Sequence, residues 1–138
     1  MKHLVRLMAI LICCTLFCAG CIKEPVATTI LEFENNSSVS VELVTIHESM
    51  TISEPESAKI SYEVKGDVPP SIFHVWTYSN VKKVVFDSKV EIDIYNFPPL
   101  WEESNYTLVG EQAYLRCFCY TFTDADYQYA LEHGTLIE

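Results

Sequence analysis

Short stretches of alternating apolar and polar residues recur along the chain, and this period-two pattern constrains the fold more than any other feature. Residues 89–95 show it best, because Val90, Ile92 and Ile94 alternate with acidic residues. Successive side chains of a strand point to opposite faces of a sheet, so such a segment has one apolar and one solvated face. The pattern therefore predicts a domain built mainly from half-buried β-strands.

Turn-forming residues separate the predicted strands at short intervals. Residues 35–38 (Asn-Asn-Ser-Ser) and the Asp-Ser pair at 87–88 are two such turns. Many short strands with frequent turns are typical of an all-β, antiparallel β-sandwich of the immunoglobulin-like or transthyretin-like kind. The predicted strands are residues 28–34, 39–46, 50–53, 58–64, 72–78, 81–86, 89–95, 106–109 and 113–122.

The last of these strands and one short C-terminal helix complete the predicted domain. The strand at 113–122 is apolar on both faces, as expected of a central strand. Thr123 is a suitable N-cap for the helix, and Asp124 and Asp126 lie in its first turn, where the helix dipole favours acids. The residues expected to pack inward at helical spacing are Tyr127, Ala130 and Leu131.

The first residues of the chain have the order of regions found in a signal peptide. Lys2 and Arg6 precede an apolar run at 7–17, which is too short to cross a bilayer comfortably. The run ends in Cys18-Ala19-Gly20-Cys21, which resembles the lipobox of bacterial lipoproteins, although Cys18 stands where leucine is usual. An ordinary signal peptide cut after residue 19 or 20 is the alternative.

The lipobox divides the chain into three predicted parts. Residues 1–20 are the lipoprotein signal peptide, residues 21–27 are the tether that begins with the lipidated Cys21, and residues 28–138 are the β-sandwich domain. We therefore expect a protein held on a membrane of the bacterial cell envelope by a lipid, in the outer membrane, with the domain on its periplasmic or outer face.

The charge of the mature chain excludes one class of partner. Removal of residues 1–20 takes away two basic residues, which leaves 118 residues and a net charge of −12. Such a charge repels phosphates, so we expect no nucleic-acid binding. Only Cys117 and Cys119 of the six cysteines lie in the predicted domain. They share one face of a strand and are predicted to be buried free thiols.

The sequence lacks the groups of residues that most enzymes and metal sites require. It has no nucleophile elbow of the GxSxG type, and His47, His74 and His133 are scattered singly. No CxxC or HxxxH spacing supplies zinc ligands. We therefore predict a protein that is not an enzyme and that carries no cofactor and no metal.

The loop at 95–106 is the most promising binding segment. Its prolines stiffen the chain, and an exposed Trp101 could stack on a sugar while nearby polar groups form hydrogen bonds to it. The candidate ligand-binding residues are Trp101, Glu102, Glu103, Asn105 and Tyr106. The alternative is that Phe97, Leu100 and Trp101 cap the end of the sandwich as part of the core.

Two stretches of the chain resemble a known group of proteins. They are NVKKVVFD at 80–87 and YTFTDADY at 120–127, accompanied by Tyr106 and Ala130. They are similar to the small cell-envelope lipoproteins of gut Gram-negative anaerobes, and the resemblance extends loosely over residues 1–131. It implies a lipid-anchored β-sandwich and supplies no catalytic residues.

Three functions follow as expectations. The first is a non-enzymatic binding or assembly module that contacts another envelope protein or a glycan through loops and edge strands. The second is a structural subunit of a larger membrane complex, and the third is a hydrolase that uses the acidic loop. An exposed Trp101 would favour a glycan, a bare apolar sheet edge would favour a protein partner, and a cleft with a histidine and two carboxylates would favour an enzyme.

Overall fold

The computed structural model describes residues 23–53 and 57–138 and forms nine strands and two α-helices from them. The predicted signal peptide and Cys21 lie outside these residues. The strands are β1 (Val26–Asn35), β2 (Val41–Thr45), β3 (Ser49–Ile52), β4 (Ala58–Lys65), β5 (Val81–Phe86), β6 (Val90–Asp93), β7 (Thr107–Gln112), β8 (Leu115–Phe122) and β9 (Thr135–Leu136). The helices are α1 (Ile72–Tyr78) and α2 (Asp124–His133).

The strands form two sheets, which confirms the predicted all-β, sandwich-like fold. One sheet has the order β4-β1-β8-β7 and the other the order β3-β2-β5-β6-β9. The first strand begins at Val26, two residues before the predicted domain boundary. As predicted, β8 is a central strand.

One pair departs from the predicted antiparallel arrangement, because β1 runs parallel to β8 with Phe33 opposite Tyr120. These strands are distant in sequence, so no tight hairpin imposes the antiparallel direction on them.

The core lies between the inward faces of the two sheets. Leu31 and Phe33 of β1 are fully buried in it, as are Phe86 of β5 and Phe122 of β8. The ring of Phe122 lies 6.2 Å from that of Phe33 and 5.9 Å from that of Phe86. The period-two pattern of the sequence places these side chains inward.

The segment Ile72–Tyr78 is a helix, so the predicted strand there is wrong. Ser71 caps it by accepting a hydrogen bond from the backbone N–H of His74. Ile72, Val75 and Trp76 are buried at the spacing of one helical face. Packing of this face against β1 and β4 outweighs the strand preference of β-branched and aromatic residues.

The C-terminal helix is confirmed, with one difference in its packing. It follows Thr123 as predicted; Ala130 is buried and the half-buried ring of Tyr127 lies 6.0 Å from that of Phe86. Leu131 was expected to face inward but is 40% exposed. The ring of Tyr129 instead packs 5.6 Å from that of the buried Phe97, because α2 contacts the β6–β9 side of the domain.

The two ends of the sandwich are built differently. We call the end where β1 begins and α1 packs the α1 end; there the hydroxyl of Thr29 donates to the carbonyl of Pro70 over 2.5 Å. We call the opposite end the turn end, where the turns at 35–40 and 87–89 meet the start of α2. At that end the N–H of Asp87 donates to the carbonyl of Ser40, and Ser38 donates to Asp124.

Candidate functional site

The loop at 95–106 is a series of single 3₁₀ turns rather than an open binding loop. The turns are Ile94–Asn96, Pro98–Leu100 and Glu103–Asn105. Phe97, which lies between the first two turns, and Leu100, which ends the second, are fully buried in the core. For these two residues the structure confirms the alternative that the loop caps the sandwich.

Trp101 is half-buried and lies under other aromatic rings. Its indole N–H donates to the carbonyl of Ile94 over 2.6 Å. Its ring is stacked on that of Tyr95 with centroids 5.5 Å apart and an angle of 24° between the planes, and it lies 5.4 Å from Phe73. Because Tyr95 covers a face of the indole, Trp101 does not present the open platform that stacking on a sugar requires.

Tyr106 does not lie on the surface of the loop. Its ring is buried, and its hydroxyl donates to the carbonyl of Leu100 over 2.8 Å while accepting from the indole N–H of Trp76 over 2.9 Å. Burial raises the pKa of this phenol well above its usual value. Tyr106 therefore satisfies buried polar groups, and its hydroxyl is already occupied by these two hydrogen bonds.

The remaining candidate residues of the loop are exposed but do not share a groove. Asn105 donates its side-chain amide to the carbonyl of Pro99 over 3.0 Å and borders a groove of about 330 Å³ with Tyr120 and Asp126. Glu103 borders another groove, described below, while Glu102 lines neither. The five candidates from the sequence therefore do not form one site.

An aromatic surface at the α1 end was missed by the sequence analysis. Phe73, Tyr78 and Tyr95 are 59%, 60% and 61% exposed. Tyr78 stacks on Tyr62 of β4 with centroids 4.8 Å apart. Six neighbouring rings form this surface, which we call the α1-end aromatic surface: Tyr62, Phe73, His74, Tyr78, Tyr95 and Trp101. The signal that could have revealed it is Ser71, a suitable N-cap that follows two prolines. It predicts a helix whose outer face carries Phe73, His74 and Tyr78.

A second surface lies at β7, which is an edge strand of the first sheet in the part of the chain that the structure describes. All six residues of this strand are exposed, including Leu108 at 48% and Val109 at 54%. A β-bulge shifts its register with β8 between Leu108 and Gly110. Beside the strand lies a groove of about 390 Å³, which we call the β7 groove; it is lined by Glu103, Tyr106, Leu108, Glu111, Arg116 and Phe118.

The two thiols of the domain lie on the outer face of β8. Both are free, with Cys119 buried as predicted and Cys117 half-buried. The Sγ atom of Cys117 lies 3.9 Å from a carboxylate oxygen of Glu32. Burial, with the negative charge of Glu32, raises the pKa of the Cys117 thiol, and burial with Glu34 does the same for Cys119. These groups are therefore poor nucleophiles at neutral pH.

A serine and a histidine meet at the start of α1. The hydroxyl of Ser71 lies 2.8 Å from Nδ1 of His74, and the same oxygen accepts the N–H that caps the helix. No groove described above contains this pair. Among residues 23–53 and 57–138, no cluster of three or more histidine, cysteine or acidic side chains could hold a metal ion.

In the part of the chain that the structure describes, no helix is both long and apolar enough to cross a membrane. Comparisons with protein-family models, with curated proteins and with solved structures find no match for this chain.

Proposed function

We propose that the protein is a lipid-anchored lipoprotein of the cell envelope and a non-enzymatic binding module, whose partner is an extended segment of another envelope protein that pairs with β7. The observation that carries this proposal is the edge strand β7, whose six residues are all exposed, beside a groove. The lipid anchor is the one expected at Cys21 from the sequence.

The open edge supplies affinity that does not depend on the partner's sequence. An edge strand presents unpaired backbone N–H and C=O groups, and an added strand satisfies them with main-chain hydrogen bonds. Many proteins protect such an edge with charged residues. In β7, Glu111 is the only charged residue. Thr107, Leu108, Val109 and Gly110 are uncharged. The bulge at Val109 bends the strand locally, between Leu108 and Gly110.

The β7 groove supplies specificity through its charge. Its floor is apolar, from Leu108 and Phe118, whereas Glu103 and Glu111 place two carboxylates at its border against the single guanidinium of Arg116. Arg116 is already occupied, because its Nε lies 3.3 Å from a carboxylate oxygen of Glu111. A lysine or arginine on the partner strand fits this groove, with its aliphatic stem on the floor and its charge near Glu103.

Site-specific photo-cross-linking in intact cells tests the β7 proposal. A photoreactive residue at Val109 should give one discrete adduct, and the cross-linked peptide should be an extended segment that carries a lysine or arginine. The matched control carries the photoreactive residue in place of Ser61, which is exposed on β4 at the other edge of this sheet. Equal adducts from both positions, or none from Val109, would contradict the proposal.

A charge reversal in the same cells sharpens the test. Glu103→Lys should lower the yield of the Val109 adduct about tenfold, since like charges across an interface cost on the order of 1–2 kcal/mol. Glu102→Lys is the control, because Glu102 is exposed next to it but does not line the β7 groove. A yield unchanged by Glu103→Lys would contradict the assignment of a basic partner strand.

The anchor is tested separately. Cells grown with labelled palmitate should label the wild-type protein, whereas Cys21→Ala should remain unlabelled. Labelling that survives this substitution would contradict the lipoprotein proposal.

A further inference from the structure

We infer that the α1 end of the domain rests on the bilayer surface, with the α1-end aromatic surface in the headgroup region. This inference rests on the proposed lipid anchor at Cys21. Besides that anchor, it gives the folded domain its own contact with the membrane and a fixed orientation of the sandwich on the bilayer.

The length of the tether holds this end close to the membrane. Five residue steps separate Cys21 from Val26, where β1 begins. A fully extended chain of that length spans at most roughly 18 Å. The backbone is already fixed at Pro25, whose carbonyl accepts a hydrogen bond from Gly66 over 2.8 Å, so the usable tether is shorter still.

Neighbouring segments join Val26 at the same end. The carbonyl of Tyr114 accepts a hydrogen bond from Thr28, and the N–H of Ile46 donates to the carbonyl of Asn80, which follows α1. Tyr62, which carries one end of the α1-end aromatic surface, pairs with Thr29 in the sheet. The whole surface therefore lies at the end from which the tether leaves the domain.

The exposed apolar side chains are concentrated at this end. In the part of the chain that the structure describes, seven of the twelve large hydrophobic side chains that are exposed belong to it. Two of the others, Leu136 and Ile137, lie at the turn end, where the N–H of Ile137 donates to the carbonyl of Lys89. The seven are Val26, Ile46, Val68, Phe73, Tyr78, Tyr95 and Tyr114.

Aromatic rings with one polar end are suited to the boundary between headgroups and acyl chains. Tyrosine and tryptophan are enriched there because the ring is apolar while the hydroxyl or N–H remains hydrated. Tyr78 and Tyr95, each about 60% exposed, meet this requirement, and Phe73 lies between them. A soluble domain rarely leaves such a group of rings in water without a partner.

The charges at this end do not favour an electrostatic mode of binding. Lys23 and Lys65 lie there with Glu24, Asp67 and Glu48, and the histidines are His47 and His74. Because both signs are present, attraction to anionic lipids would be small. Contact with the bilayer therefore comes from burial of the rings and is insensitive to salt.

Oxidation by hydroxyl radicals, read by mass spectrometry, tests the orientation. The full lipidated protein is reconstituted in vesicles of phosphatidylethanolamine and phosphatidylglycerol. We expect oxidation of Phe73 and Tyr95, relative to Leu136, to be at least about threefold lower than their exposed fractions alone predict. The reason is that rings that enter the headgroup boundary by roughly 5–10 Å are largely covered. Leu136 is the internal control, since it is 68% exposed on β9, outside the α1 end.

Three other outcomes are distinguishable. A protein that does not float with the vesicles has no functional lipid anchor, and both the proposed function and this inference fall. A protein that floats while Phe73, Tyr95 and Leu136 are oxidised as their exposures predict keeps its anchor but overturns the orientation. Protection of these rings in intact cells but not in pure lipid vesicles also overturns it, because the occupant is then a protein or a glycan of the envelope.

Discussion

The turn end and the α1 end close the same sandwich by different means. At the turn end, short polar turns satisfy one another: the side chain of Asn35 accepts from the backbone N–H and the hydroxyl of Ser37 and donates to the carbonyl of Val39. At the α1 end, a buried tryptophan and a layer of rings cover the core. There the indole of Trp76 is fully buried, while the rings of Phe73 and Tyr95 remain exposed.

The difference follows from the connections that each end must make. At the turn end β5 joins β6 through a few residues and hydrogen bonds satisfy the polar turns, while Tyr127 of α2 packs against the core beside them. The α1 end carries the connection from β4 to β5 and the start of the connection from β6 to β7, and both bury apolar side chains against the core. A polar end suits water, whereas a layer of exposed rings suits a partner.

The largest expected effect lies beneath the aromatic surface. Trp76→Ala should lower the free energy of unfolding by about 3–5 kcal/mol, because it empties a fully buried site and removes the hydrogen bond to Tyr106. Denaturant titration measures the loss. Trp101→Ala, which truncates the half-buried tryptophan of the same cluster, should cost clearly less. Equal losses would mean that Trp101 is a core residue and that the surface is part of the fold.

At the turn end the expected effect is smaller. Asn35→Ala should cost about 1–2 kcal/mol, since it removes a side chain that makes three half-buried hydrogen bonds. Asn36→Ala is the matched control and should change stability by less than about 0.5 kcal/mol, because that side chain is exposed. If both variants were equally stable, the polar network would not be what closes this end.

The contact between the turn and α2 should depend on pH. The carboxylate of Asp124 accepts from the backbone N–H and the hydroxyl of Ser38 over 2.7 and 2.8 Å, and these bonds lower its pKa below the ordinary value of 3.8. A group whose pKa is lowered by folding stabilises the fold above its unfolded pKa, and this contribution disappears as the pH falls through the folded pKa.

Asp124→Asn should therefore be less stable than the wild type at neutral pH, and the gap should narrow below pH 3.8. Urea titrations at several pH values measure it. The effect should be smaller than that of Asn35→Ala because Asp124 is exposed. Ser38→Ala, which removes one of the two donors, should lose only part of the pH dependence. A gap that is constant down to pH 2 would show that the carboxylate does not stabilise the turn.

The smallest expected effect on stability is on the aromatic surface itself. Phe73→Ser should change the free energy of unfolding by less than about 0.5 kcal/mol, because the ring is 59% exposed and serine and phenylalanine have similar helix propensities. Thermal unfolding measures it. A loss comparable to that of Trp76→Ala would remove the distinction between core and surface at this end.

The strands could be predicted because their signal is local. The predicted strand at 81–86 has the bounds observed for β5, and the segments at 28–34 and 58–64 fall within β1 and β4. The segment Ile72–Tyr78 could not be assigned by composition, because isoleucine, valine and aromatic residues favour strands while their spacing here fits a helix. Its contacts with β1 and β4, which no local pattern contains, decided between the two.

The candidate site was only partly predictable. The sequence singled out the loop at 95–106 as the candidate binding segment, and Trp101 of that loop belongs to the α1-end aromatic surface. It misplaced Tyr106, because a tyrosine in a loop looks accessible until the chain brings Trp76, thirty positions earlier, to its hydroxyl. Glu103 and Asn105 are two residues apart but line different grooves, because they are the first and last residues of one 3₁₀ turn, which directs their side chains apart.

The sequence by itself determined the all-β, sandwich-like fold, the central strand β8 and the helix that follows Thr123, because each depends on a period or a cap encoded within a few residues. Only the tertiary structure decided that β1 and β8 run parallel, that Ile72–Tyr78 is a helix and that its outer rings meet Trp101 and Tyr95 at the end where the tether leaves the domain. These features join residues that are distant in the chain, and their energy comes from burial against neighbours that a local pattern does not contain.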